Sequence, residues 1–269
     1  FPDFGNTERR QIFKTGATGM ANETKAAFSL FQKKSLTVFG DSISKGLYLE
    51  KGQIRRIGRS AVSVLAEKYG VTADNFSSYG QTLKKCWEKG HFERFIGETE
   101  RGSVLAIALG GNDCDYRWDE VAKNPLGAQM PNTPLPEFES ILRKVIALLR
   151  ENGRVPVLFS LPPIDSQRYF RNVICARADG ERVMEFFRGD VTNIARLQEA
   201  YNTAILKAAL ETDCACIDFR TELLLMPDYL DCLADDGIHP NERGHAEIAR
   251  IIGNVVDRYA GALSGQGAI

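Results

Sequence analysis

Histidine is scarce in this chain of 269 residues: only His91, His239 and His245 occur. The six cysteines, Cys86, Cys114, Cys175, Cys214, Cys216 and Cys232, form no Cys-x-x-Cys pair. A zinc site needs four converging donors, so no metal is expected. Buried free thiols in a reducing compartment are the better account of the cysteines. Long apolar runs are missing too, since none approaches the ~20 residues that a membrane span requires. A large excess of one charge sign is absent: the formal net charge is −1, which gives no general pull toward nucleic acid or anionic lipid. No repeat, low-complexity tract or signal-peptide pattern is visible. A cytoplasmic location is therefore expected. The sequence begins at Phe1 rather than Met, which leaves a processed precursor open.

What is present is ordinary globular composition, with 43% hydrophobic and 26% charged residues. At this length a single large α/β domain is expected over 35–262, preceded by an arm and short helix (1–34) and followed by a tail (263–269). Apolar runs at Leu36–Phe39, Val104–Leu109 and Val155–Leu161 stop at Gly40, Gly110 and Pro162. A weaker strand is expected at about 73–78 and a fifth at Cys214–Phe219. Helical spacing marks 22–32, 58–69, 82–97, 137–151, 193–211 and about 241–260. Strands apolar on both faces and alternating with helices form parallel sheets covered on each side. Ligands of such sheets bind at the carboxyl ends of the strands. Residues 164–192 are too long for a plain connection and carry two aromatic pairs, 169–170 and 186–187. A partly helical excursion over the site is expected there.

The strand ends hold a set of residues suited to acyl transfer through serine. Such chemistry needs a nucleophile, a base, a carboxylate that orients the base, and donors for the developing oxyanion. Ser42 follows the first strand in Gly40-Asp41-Ser42. His239 sits in Asp235-Asp236-Gly237-Ile238-His239-Pro240, where a short loop lets a carboxylate reach one ring nitrogen and leaves the other free. Asp236 is the preferred partner, although spacing alone does not choose between it and Asp235. His91 and His245 read as helix-surface residues without a role. Asn112 follows a buried strand through Gly110-Gly111, so its amide can project at the strand tip. The N–H groups of Gly80 and Ser42 are further candidate donors. Asp41 and Asp113 read as supports that bond nearby backbone. Asp115, Tyr116, Arg117 and Trp118 are equally pocket wall or ordinary loop.

Gly40-Asp41-Ser42, Gly80, Gly110-Gly111-Asn112-Asp113 and Asp236-Gly237-Ile238-His239-Pro240 together resemble the four blocks of the SGNH (GDSL-type) hydrolase family. They occur in order and span residues 40–240. The resemblance implies a three-layer α/β/α sandwich, flavodoxin-like, with a parallel sheet of about five strands. It implies ester hydrolysis without a cofactor, with Ser42 as nucleophile, His239 as base, Asp236 as its orienter, and Ser42, Gly80 and Asn112 as oxyanion donors. The first block reads Gly-Asp-Ser-Ile instead of Gly-Asp-Ser-Leu, a swap of one aliphatic for another. No Gly-x-Ser-x-Gly elbow surrounds Ser42, which disfavours the α/β-hydrolase fold. The expected substrate is a small-molecule ester with a short acyl or acetyl group, in one version on a carbohydrate. Acyl transfer to another alcohol, lipase or lysophospholipase activity, and a non-enzymatic binding module are the rivals. The oligomeric state is not legible.

Overall fold

The computed structural model describes residues 35–264, with residues 259–264 given by backbone alone. The arm and helix expected before residue 35 lie outside the described residues. Strand β1 (Ser35–Gly40) is buried after its first residue. At Gly40 a Cβ would collide with the Ser44 side chain, so only glycine allows this close turn into α1 (Ser42–Lys45). An antiparallel hairpin follows, β2 (Leu47–Glu50) and β3 (Gln53–Arg56). Its turn residues Lys51 and Gly52 have φ of 49° and 76°, the paired positive values of a type I′ turn. The apolar pattern does not announce this hairpin, because charged residues dilute Leu47, Leu49 and Ile54.

Helix α2 (Ala61–Tyr69) starts where the Ser60 side chain accepts the Ser63 N–H, and it ends at Gly70. Strand β4 (Thr72–Asn75) comes next. The single helix expected over 82–97 is two, α3 (Leu83–Glu88) and α4 (His91–Glu98), with left-handed Gly90 breaking the run between them. The remaining elements are β5 (Val104–Ala108), α5 (Trp118–Lys123), α6 (Leu135–Glu151), β6 (Val155–Phe159), α7 (Ser166–Tyr169) and α8 (Gly180–Phe186). They continue through α9 (Asn193–Thr212), β7 (Ala215–Ile217), α10 (Arg220–Leu225) and α11 (Glu242–Ser264).

Five strands pair in the order β4-β1-β5-β6-β7, all parallel. Counting only these strands in chain order gives 2-1-3-4-5, the flavodoxin-like doubly wound arrangement. Alternation along each strand splits the core into two layers. On one face Phe39, Leu105, Ile107 and Leu158 pack with residues of α3, α4, α6 and α9. On the other, Leu36, Val38, Ala106, Val157 and Ile217 pack with α2, α10 and α11. The chain order reverses between β1 and β5, so the crevice of the fold opens beside the tips of those two strands. The 164–192 excursion forms a third cluster, in which Tyr169, Val173, Ile174, Val183 and Phe187 pack around Trp118.

Candidate active site

Ser42 lies directly beyond the β1 tip as the first residue of α1 and is buried. It does not cap that helix. Asp41 does, accepting the Ile43 N–H on Oδ1 at 2.9 Å. The Ser42 hydroxyl is thereby left for another partner, and it lies 2.8 Å from His239 Nε2 across 197 residues of sequence. His239 Nδ1 is 2.7 Å from Asp236 Oδ2. Asp236, not Asp235, makes this contact, because its Oδ1 also accepts the N–H groups of Ile238 and His239 at 3.0 and 2.9 Å. These bonds lock the loop in the conformation that turns the ring toward Ser42.

A third backbone donor to Asp236 comes from the unexpected hairpin. The Leu49 N–H donates to Oδ2 at 2.8 Å, so β2 holds the same oxygen that faces His239. This backbone contact leaves no side-chain signature in the sequence. Burial acts to raise the Asp236 pKa. The bond from His239, its charge and the backbone N–H groups outweigh that, and the carboxyl is held below its ordinary value. Asp236 therefore stays ionised beside the ring.

Asn112 and Gly80 border the same cavity as Ser42 and His239. The Asn112 amide donates to the Gln81 carbonyl at 3.1 Å and reaches Asp41 Oδ2 at 3.4 Å. Gly80 sits in a turn at φ 67°, a backbone conformation that a Cβ would strain. Asp113 is fully buried and supports this corner. It accepts the Leu83 N–H at 2.9 Å and the Thr133 hydroxyl at 2.7 Å. Asn132 donates to the Asn112 carbonyl at 2.9 Å, clamping the loop from outside. Burial pushes the Asp41 carboxyl up to about 6, against the Ile43 N–H bond and the nearby His239.

His245 differs from the sequence expectation. It is not a surface residue but one of the most buried side chains, 1% exposed, because α11 turns this face onto α2. Its Nδ1 accepts the Ala61 N–H at 3.2 Å. Burial, and secondarily the His239 charge, lower its pKa to about 4. His91 is half-buried, with its ring 6.1 Å from that of Phe39.

The cavity measures about 360 Å³ and has two kinds of wall. Tyr79, Asp115, Tyr116, Asn132 and Arg177 supply polar groups on one side. Tyr169 places its hydroxyl 2.9 Å from both Asp115 oxygens and accepts the Trp118 indole N–H at 3.1 Å. Burial lifts Asp115 to about 6, against that Tyr169 bond. Of the loop residues weighed from sequence, Asp115, Tyr116 and Trp118 thus line the cavity, while Arg117 is exposed. Tyr169 and Val173 bring the excursion to the cavity wall. No group of three or more His, Cys, Asp or Glu side chains able to hold a metal ion occurs among the described residues.

A serine hydroxyl, a histidine and an ionised carboxylate in hydrogen-bonded series, at the switch point of a doubly wound sheet, define a class of protein: a carboxylic ester hydrolase. Residues 38–247 match the model of the GDSL-like Lipase/Acylhydrolase family, and the chain belongs to that family. Among solved structures, the lipase/acylhydrolase from Enterococcus faecalis is similar with a TM-score of 0.56 at 16% identity, over 84% of this chain and 97% of that one. Axe2, an acetylxylan esterase from Geobacillus stearothermophilus, aligns with a TM-score of 0.56 at 18% identity, over 83% and 94%. The psychrotrophic esterase EstA from Pseudoalteromonas sp. aligns with a TM-score of 0.52 at 14% identity, over 85% and 100%. At these identities the likeness is one of fold. Comparison with curated proteins gave no match. No helix among the described residues is long and apolar enough to cross a membrane.

Proposed function

We propose that the protein hydrolyses small-molecule carboxylic esters through an acyl-enzyme on Ser42. The observation that carries this reading is the 2.8 Å contact between Ser42 Oγ and His239 Nε2, continued at 2.7 Å from Nδ1 to Asp236. His239 takes the hydroxyl proton as Oγ bonds to the ester carbonyl carbon. Asp236 fixes the tautomer and stabilises the imidazolium. The oxyanion is met by the N–H groups of Ser42 and Gly80 and by the Asn112 amide. That amide reaches Asp41 only at 3.4 Å, a weak contact that a developing charge can replace. The carbonyl re-forms, the C–O bond to the alcohol breaks, and His239 returns its proton to the leaving oxygen. Water then attacks the acyl-enzyme with the same histidine as base and releases the acid. Every step uses side chains and backbone of this chain, and no cofactor is invoked.

The test is a panel of p-nitrophenyl esters of rising chain length together with acetylated sugars, run on the native protein and on Ser42→Ala. Turnover by the native protein and its loss in Ser42→Ala are expected. Equal rates for the two would sink the reading. Transfer to an alcohol other than water uses the same residues, and adding glycerol to the assay reveals it as a glyceryl ester. The short, glycine-rich strand tips favour a short acyl group, whereas the apolar wall of the cavity favours a longer one.

A further inference from the structure

From Ser42 and His239 the cavity continues down the face of the sheet that α2 and α11 cover. Its wall there is formed by Leu36 and Val38 of β1, Ala106 of β5, Ala61 and Leu65 of α2, and Ile248 of α11. All six are buried apolar side chains. Two of the wall positions, Ala61 of α2 and Ala106 of β5, carry small alanine side chains. The strand pleat sets the depth. Leu36 lies four residues below Gly40 at the β1 tip, which is about 13 Å at the usual rise per residue. With C–C bonds of ~1.5 Å laid in a zigzag, that depth takes an extended chain of roughly eight to ten carbons.

One observation separates this chamber from a packing defect: it belongs to the same cavity that Ser42 and His239 line. His245 borders the cavity, its Nδ1 is taken by the Ala61 N–H, and its Nε2 is buried without a partner. The ring is held neutral by burial, so no charge opposes an apolar occupant.

We propose that this chamber holds the acyl chain of the substrate, of medium length, while the alcohol lies toward Tyr79, Asp115 and Arg177. The inference rests on the reading of Ser42 as the nucleophile. Its physical logic is that the acyl group stays on the enzyme while the alcohol leaves and water enters. The retained group belongs in the closed, apolar end of the cavity, and the departing one belongs at the polar mouth.

Each methylene that leaves water for the chamber raises kcat/KM by up to about fourfold. The native protein is therefore expected to prefer p-nitrophenyl octanoate to the acetate, with the gain ending beyond about ten carbons. Ala61→Leu fills the chamber and is expected to lower the octanoyl-to-acetyl ratio of kcat/KM tenfold or more. Leu65→Ala enlarges it and shifts the optimum to longer chains, which keeps the test intact should Ala61→Leu fail to fold. Calorimetry on Ser42→Ala with octanoate and with acetate reads the chamber without any turnover, and tighter binding of octanoate is expected. The inference is overturned if Ser42→Ala binds octanoate no better than acetate, or if both chamber variants leave the octanoyl-to-acetyl ratio within twofold of native. Absence of turnover at every chain length, with octanoate still bound, would refute the hydrolase reading and leave the chamber standing.

Discussion

His245→Asn removes one titrating group from the core and is expected to change how stability depends on pH. The native ring is 1% exposed and has its pKa lowered from the ordinary 6.5 to about 4. Between those values the unfolded chain binds a proton that the folded chain refuses. Stability therefore falls as pH drops from 6.5 toward 4, and it is complete above 6.5. At 1.36 kcal/mol per pKa unit, the full shift is on the order of 3 kcal/mol, of which about 2 kcal/mol is lost by about pH 5. Asp41 and Asp115, both raised to about 6, act in the opposite direction. They hold protons more tightly when folded, so their effect favours the fold as pH drops through 6. Both remain in the variant and cancel in the comparison. Asparagine keeps an acceptor near the Ala61 N–H, so the variant loses packing at every pH but no longer loses stability through protonation. Thermal midpoints at about pH 7.5 and pH 5 supply the readout. The decline between the two is expected to be smaller in His245→Asn by ~4–8 °C, at roughly 2–4 °C per kcal/mol for a domain of this size. Identical declines in the two proteins would refute the argument, because they would mean that His245 is not the group taking up the proton.

Two further substitutions test the candidate site. Asp236→Asn keeps the shape of the side chain but removes the charge beside His239 and favours the wrong tautomer, so kcat is expected to fall by as much as ~10⁴-fold. Activity within tenfold of native would show that the 2.7 Å contact to His239 does not matter for turnover. Asp113→Ala leaves the buried Leu83 N–H and Thr133 hydroxyl without their acceptor, at a cost of about 1–3 kcal/mol each way such a group is orphaned. A urea titration should show that loss, and kcat should fall further than KM changes because Asn112 is adjacent; an unaltered urea midpoint would contradict the supporting role.

Much of this site is written in local sequence because its parts are local. Gly40 is needed wherever a strand turns this sharply beside Ser44, and Asp236 reaches His239 within one short loop. Apolar runs between glycines specify buried parallel strands, and regular alternation of strand and helix leaves few ways to stack them. The break at Gly90 escapes such reading, since apolar spacing continues through it and only the left-handed glycine shows the split. The sequence by itself determined the layered fold, the four motif blocks and the chemical types at the strand tips. Tertiary structure alone decided that Asp41 caps α1 and frees Ser42, that the Leu49 N–H braces Asp236, and that His245 is buried rather than exposed. It also decided that apolar side chains of β1, β5, α2 and α11 line the same cavity as Ser42. The physical reason is common to all of these. Backbone donors, burial and empty volume belong to pairs of surfaces distant in the chain, and no single stretch of sequence carries them.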